Sequence, residues 1–185
     1  MRNPLRILKL LTKVRRPSKV GDMPAVLDSF WLRRNYQALT FFGFIVCRTE
    51  EVVQRLNEVA RSNGATAGYV RPGGGTGAGV VTPADRQRYA YAIIKNHEMI
   101  HLRQAQACHN SWFCFYLLYS WYYLRALPQN RRLKNAAYVL NPFEMEAYSH
   151  QHDFGYLADK QDGTDGWRYY ARLSPRERLR LKTQG

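Results

Sequence analysis

The chain has 185 residues, 45% of them hydrophobic, and 28 basic against 14 acidic side chains give a formal net charge of +14. This composition excludes a disordered chain and is typical of a globular domain with its own core. The positive charge predicts attraction to an anionic partner, such as nucleic acid, an anionic membrane or an acidic subunit. Three cysteines without paired spacing argue against a disulfide scaffold and favour a reducing compartment.

The first 24 residues form a basic arm in which seven Lys or Arg precede the first acidic residue, Asp22. Apolar residues recur between positions 5 and 14 at near-helical spacing, which predicts a short basic amphipathic helix. The arm lacks the continuous apolar stretch and the cleavage site of a secretory signal. We therefore expect a protein that is not secreted through a recognisable signal.

Before the long central helix, the pattern predicts a small amount of β-structure. Residues 41–46 are expected to form a strand, and residues 49–61 a helix that Gly64 stops. Residues 72–77 are rich in glycine but lack the Lys-Ser/Thr ending of a phosphate-binding loop, so we expect a flexible loop or a hairpin there. Residues 80–81 are expected to form a short strand.

Helices follow in the second half of the chain. Thr82, Pro83 and Asp85 are typical of a helix start, and the helix is expected to reach about residue 108. Ser111 is expected to cap an aromatic helix that is too short and too rich in tyrosine to span a membrane. Further helices are predicted over residues 143–156 and from Pro175 to the C-terminus. The fold expected is α+β, mainly helical, with a small sheet before the long helix.

The long helix contains the sequence HEMIH at residues 97–101. Residues four apart lie on the same face of a helix, one turn apart, so His97 and His101 can reach one zinc ion. Glu98 lies beside them, where it can take a proton from a water activated by the metal. An ordinary helix with two hydrogen-bonded histidines is the alternative that the residues leave open.

A later segment, NPFEMEAY at residues 141–148, offers the third ligand that a catalytic zinc needs. HExxH followed by Glu-x-x-Ala on a later helix resembles the gluzincin zinc metallopeptidases, and the two segments together are similar to short HExxH proteins of bacteria and their phages. The resemblance covers about residues 81–156 and implies a zincin-like fold with Glu144 as the third ligand. Glu146 is the rival ligand; Glu144 is favoured because its offset from Ala147 matches the family pattern.

The chain departs from the family at Tyr148, where many gluzincins carry an aspartate that supports a zinc-ligand histidine. Tyr148, or His152 one turn further on, is a candidate for stabilising a tetrahedral oxyanion. Ordinary helix packing is the alternative for both residues. Gln104, one turn beyond His101, also matches the family and is a candidate for contact with the ligand helix.

The expected layout is the basic arm at residues 1–24, a metallopeptidase-like domain at 25–160 and a basic C-terminal extension at 161–185. We expect a zinc-dependent peptidase that hydrolyses bonds in a peptide or protein through a metal-activated water, and that is cytoplasmic or associated with a phage virion. The alternative is a virion or assembly protein that retains this fold. In that case its basic ends would contact nucleic acid or neighbouring subunits.

Overall fold

The structure, a computed structural model, describes residues 18–20, 23–27, 38–41, 44–61, 83–160 and 162–184. These residues are mainly helical, as the sequence predicts. The chain divides into two compact units, Met1–Ala92 and Ile93–Gly185, and the division falls within the long helix. The division into an arm, a domain and an extension stays a prediction.

The N-terminal unit contains a four-stranded sheet. Its strands are β1 (Ser18–Val20), β2 (Met23–Leu27), β3 (Ala38–Phe41) and β4 (Phe44–Cys47), in the order β1-β2-β4-β3. Strands β2 and β4 are parallel, and the other two pairs are antiparallel.

The single strand expected over residues 41–46 is wrong in its extent, because the chain forms two antiparallel strands, β3 and β4, in which Phe41 pairs with Phe44. The two residues between these strands in sequence, Phe42 and Gly43, lie outside the described residues.

Helix α1 (Glu50–Arg61) follows the sheet and confirms the helix predicted there. Val52, Val53 and Leu56 are buried, and α1 packs against β1 and β4. The hydroxyl of Thr49 accepts a hydrogen bond from the backbone nitrogen of Val52, which satisfies one free donor of the first turn. The predicted arm helix, the glycine-rich loop and the short strand at 80–81 lie outside the described residues.

The C-terminal unit is helical wherever the structure describes regular elements. The long helix α2 (Pro83–Ala107) leads into it, as predicted, and the aromatic helix α3 (Trp112–Ala126) follows. A 3-10 turn at Leu127–Arg131 precedes the short helix α4 (Ala136–Val139). The remaining helices are α5 (Pro142–His150), α6 (Trp167–Arg172) and α7 (Pro175–Gln184).

Local sequence explains the turn between α2 and α3. His109 and Asn110 adopt positive φ angles of 59° and 52°, which breaks the helix. The hydroxyl of Ser111 then accepts a hydrogen bond from the backbone nitrogen of Cys114, which confirms the predicted cap.

Helix α5 begins as predicted but ends at His150, so its expected extension to about residue 156 is wrong. The side-chain amide of Asn96 donates hydrogen bonds of 3.0–3.1 Å to the backbone carbonyls of His150, Gln151 and Asp153. Carbonyls at a helix end have no partner within the helix, and Asn96 supplies one from α2. This contact fixes the end of α5 beside the HEMIH segment.

The core of the C-terminal unit surrounds Phe143, whose ring centroid is 4.8 Å from that of Phe115 and 4.5 Å from that of Trp167. Arg178 is buried near the end of the chain and donates a hydrogen bond to the carbonyl of Leu140. Residues after position 160 therefore contribute to the buried part of this unit. No helix among the described residues is both long enough and apolar enough to cross a membrane.

Candidate metal centre

Three buried side chains that could ligate a metal meet in the C-terminal unit. His97 and His101 lie one turn apart on α2, and Glu144 lies in the first turn of α5. Their relative exposures are 8%, 6% and 3%, so each is largely removed from water. Among the described residues, this group could hold a metal ion, since its ligand atoms lie within 4.8 Å of one another. The structure thus brings together the three ligands that the sequence suggested.

The distances in this group fit a tetrahedral metal. The Nε2 atoms of His97 and His101 are 3.2 Å apart. Oε2 of Glu144 lies 3.4 Å from Nε2 of His97, and Oε1 of Glu144 lies 3.5 Å from Nε2 of His101. Ligand atoms bound to tetrahedral zinc at ~2.0–2.2 Å are about 3.3–3.5 Å from each other. The three pairwise contacts are close to this range, and one ligand atom from each residue lies within 4.8 Å of the others, so the group could hold a zinc ion after a rearrangement of its side chains.

The electrostatics of the group also favour a cation. Burial raises the pKa of Glu144, but the charge of His101 and the hydrogen bond and charge of His97 outweigh it, so this pKa lies below its ordinary value. The Oε2 atom of Glu144 is buried, and its contact with Nε2 of His97 is long for a hydrogen bond, at 3.4 Å. A buried anionic oxygen with only a long contact of this kind is costly, and a metal ion would lower that cost.

The pKa of His97 is raised above its ordinary value. Burial lowers it, but hydrogen bonding to Glu144 and the negative charges of Glu144 and Glu98 outweigh burial. A hydrogen bond with the side chain of Gln151 acts in the same direction. A proton on His97 and a bound metal ion would each place a positive charge beside Glu144. Protonation of His97 and metal binding therefore compete.

Tyr119 orients the ligand carboxylate. Its hydroxyl donates a 2.8 Å hydrogen bond to the Oε1 atom of Glu144, which leaves Oε2 for a cation. Burial and the charge of Glu144 hold the pKa of Tyr119 well above its ordinary value, so the hydroxyl stays a donor. The sequence did not point to Tyr119, because no motif sets it apart from the other tyrosines of the aromatic helix.

Glu146 lies away from the two histidines and is fully buried. Its carboxylate accepts hydrogen bonds from four donors, namely the Gln104 amide, the hydroxyls of Tyr156 and Thr164, and the backbone nitrogen of Trp167. This carboxylate has no need of a cation. The structure therefore places Glu144, and not its rival, at the candidate site.

Gln104 forms hydrogen bonds with both His101 and Glu146. Its Oε1 atom is 2.8 Å from Nδ1 of His101, and its Nε2 atom donates to the carbonyl of Phe143 and to Oε2 of Glu146. Since both partners of the nitrogen are acceptors, the amide orientation is fixed, and the oxygen can only accept from His101. The Nδ1 atom of His101 therefore carries a hydrogen, and its Nε2 atom, 3.2 Å from that of His97, faces the candidate site.

The other predicted residues occupy different positions. Glu98 is 6% exposed and close enough to His97 for its charge to act on that imidazole. The ring of Tyr148 packs edge-on against His97, with centroids 4.8 Å apart. His152 is exposed beyond the end of α5, so its expected position one helical turn from Tyr148 is wrong. It contacts the Gln151 side chain.

Comparison of the chain with protein-family models, with curated protein sequences and with solved structures found no match. The class of site is therefore argued from its own geometry. It is a buried set of two imidazoles and one carboxylate that could hold a metal, with a further glutamate adjacent to one ligand.

Proposed function

We propose that this chain is a zinc-dependent metallopeptidase of the gluzincin type, with a zincin-like arrangement of its ligand helices. The observation that carries the proposal is the meeting of His97, His101 and Glu144 at distances that suit tetrahedral zinc. Two imidazoles and one carboxylate leave one tetrahedral position open, as a catalytic site requires. A purely structural site is normally closed by four protein ligands and has no use for a neighbouring base.

The donor set fits zinc, and His97, His101 and Glu144 would hold it. When bound, zinc supplies a Lewis acid that polarises a peptide carbonyl and lowers the pKa of water. Oε2 of Glu144, with only a long contact to His97, and Nε2 of His101, which faces that of His97, are the atoms that support this assignment.

Glu98 is the proposed general base and acid. Its carboxylate takes a proton from the attacking water as the oxygen of that water bonds to the carbonyl carbon. The same carboxylate then gives the proton to the amine nitrogen as the carbon–nitrogen bond breaks, so the group returns to its starting state. Glu98 is adjacent to His97 in sequence, and its negative charge raises the pKa of the His97 imidazole. Both facts support this role.

Tyr148 is the proposed donor to the oxyanion that forms at the carbonyl. Its ring packs against His97, within the neighbourhood of the ligand set. A hydroxyl aimed at developing negative charge stabilises the transition state more than the ground state. His152 is a weaker candidate for this role, because it lies beyond the end of α5 and is exposed.

Elemental analysis of the purified full-length chain tests the metal, with Glu98→Gln and His101→Ala as variants. We expect about one zinc per chain in the wild type and in Glu98→Gln, and its loss in His101→Ala, because only the latter removes a ligand. The same ligand set also suits iron(II), so iron in place of zinc would contradict the proposal. No metal after refolding with excess zinc would also contradict it.

Hydrolysis of an unstructured protein such as casein then tests the reaction. Glu98→Gln should retain zinc and lose on the order of 10²–10⁴-fold in kcat, the usual contribution of a general base. Removal of zinc by a chelator should abolish the activity, and added zinc should restore it. Equal activity of the wild type and Glu98→Gln would exclude the proposed mechanism.

A further inference from the structure

We infer that Gln104 is a positioning residue for the metal ligand His101 and that Glu146 anchors Gln104 in this role. The inference rests on the proposed metal site and adds to it a directed chain of hydrogen bonds. The chain runs from Nδ1–H of His101 to Oε1 of Gln104, and from Nε2–H of Gln104 to Oε2 of Glu146.

Each link of the chain has one allowed direction. The Gln104 oxygen cannot donate, so it requires a hydrogen on Nδ1 of His101, and this tautomer leaves Nε2 free to bind a metal. The Gln104 nitrogen cannot accept, so it requires acceptors, and it finds them in Glu146 and in the carbonyl of Phe143, at 2.8 Å and 2.9 Å. The amide is held by three hydrogen bonds and cannot turn over without losing them.

Glu146 is itself held in place by hydrogen bonds from further donors. Tyr156 and the backbone nitrogen of Trp167 donate to it at 2.6 Å and 2.8 Å, and Thr164 also donates. Glu146 and Gln104 are both fully buried, so water does not compete for these contacts. The orientation of the His101 ring is thus set by groups that belong to three later parts of the chain.

A simpler role for Gln104 would be to fasten α2 to α5 without any effect on a metal. That role explains the bonds of its nitrogen but not the 2.8 Å contact of its oxygen with the histidine. Partners of this kind fix the tautomer and the ring orientation of a ligand histidine, and their loss typically costs about 10–100-fold in metal affinity. Zinc affinity therefore separates the two roles.

The experiment compares two substitutions of Gln104 in the full chain. Gln104→Met removes the acceptor for His101, whereas Gln104→Glu keeps an oxygen acceptor at about the same reach. Gln104→Met removes the donor to Glu146 and Phe143, and Gln104→Glu places a second carboxyl group against Glu146, so both should lower the thermal midpoint of the metal-free protein. Gln106→Met is the matched control, since Gln106 lies on the same helix and pairs with Arg103 instead.

Zinc affinity is measured by competition with a chromogenic chelator, and cobalt(II) serves as the spectroscopic probe. We expect Gln104→Met to weaken zinc binding by about 10–100-fold and to change the visible spectrum of bound cobalt. Gln104→Glu should stay within a few-fold of the wild type, in spite of its lower thermal midpoint. Gln106→Met should leave both readouts unchanged.

Glu146→Gln tests the anchor. Alone it should weaken zinc binding less than Gln104→Met does, and added to Gln104→Met it should weaken binding no further, because it acts through Gln104. Fully additive losses would overturn the anchoring role.

Wild-type affinity and an unchanged cobalt spectrum in Gln104→Met would overturn the inference and leave the proposed function standing. No metal binding by the wild type would overturn both. If Gln104→Met does not fold, Gln104→Asn replaces it; its shorter side chain withdraws the acceptor from His101, so wild-type affinity in that variant would also overturn the inference.

Discussion

Two sides of helix α5 carry buried glutamates that differ by only two positions in sequence. On one side, Glu144 accepts a short hydrogen bond from Tyr119 at Oε1, and its contacts with the two imidazoles are longer, at 3.4 Å and 3.5 Å. On the other side, Glu146 accepts hydrogen bonds from four donors. The first carboxylate has room for a cation among its partners, and the second is already satisfied by hydrogen-bond donors.

This difference shows that the number of hydrogen-bond donors separates the candidate metal ligand from the structural carboxylate, whereas burial does not. Both glutamates are at most 3% exposed, so burial alone assigns neither role. Buried carboxylates need partners, and the kind of partner present indicates the use of the group. We call the side of α5 that carries Glu144 the binding side and the side that carries Glu146 the folding side. Substitutions on the first should change metal affinity, and substitutions on the second should change stability.

The largest effect is expected for Glu144→Gln on metal binding. The amide keeps the size of the side chain but loses the negative charge, and its nitrogen cannot ligate zinc. Zinc affinity should fall by more than about 100-fold, beyond the loss typical of residues that only support a ligand. Chelator competition on the purified chain measures it, and zinc retained at wild-type affinity would assign the ligand role elsewhere.

The next effect is expected for Glu146→Ala on stability. The substitution leaves the hydroxyls of Tyr156 and Thr164, the Gln104 amide and a backbone nitrogen without their common acceptor. Breaking a buried charged network of this kind costs about 3–5 kcal/mol in the free energy of unfolding. Urea unfolding of the metal-free protein measures it, and a loss below about 1 kcal/mol would mean that the network is not a folding element.

Features determined by neighbouring residues could be predicted from the sequence. The bounds of α2, the Ser111 cap of α3 and the start of α5 at Pro142 were predicted correctly, because capping and helix propensity act within a few residues. The position of His97 and His101 on one helix face followed from their spacing alone.

Features determined by distant residues could not be predicted. Helix α5 ends at His150, whose carbonyl accepts a hydrogen bond from Asn96, 54 residues earlier in the chain. Gln104 and Glu146 are 42 residues apart, so their contact depends on how α2 and α5 pack. In the sequence, Glu144 was preferred over Glu146 because its distance from Ala147 matches the gluzincin pattern. The hydrogen bonds that distinguish the two glutamates in the structure come mainly from residues later in the chain.

A smaller effect is expected for Gly166→Ala on the folding side of α5. A Cβ atom at Gly166 would lie 2.7 Å from Oε1 of Glu146 and 2.9 Å from the hydroxyl of Tyr156, so the carboxylate network must shift. Overpacking of this kind costs about 1–3 kcal/mol. Gly155→Ala is the control, since its Cβ would only touch Asp153 at 3.4 Å. Equal unfolding midpoints for the two variants would contradict the prediction.

The smallest effect is expected for Tyr119→Phe on the binding side. The variant loses the 2.8 Å hydrogen bond to Oε1 of Glu144, so the carboxylate is free to rotate and its Oε2 atom is held less firmly. We expect zinc affinity to fall by about tenfold, the lower end for partners of a ligand, because the two histidines remain in place. Isothermal titration against a competing chelator measures the change.

Tyr122→Phe is the matched control on the same helix, because no hydrogen bond of the Tyr122 hydroxyl occurs among the described residues. This variant should bind zinc like the wild type. Equal affinities for both variants would mean that the histidines alone orient Glu144, and would reduce the binding side of α5 to the three ligands.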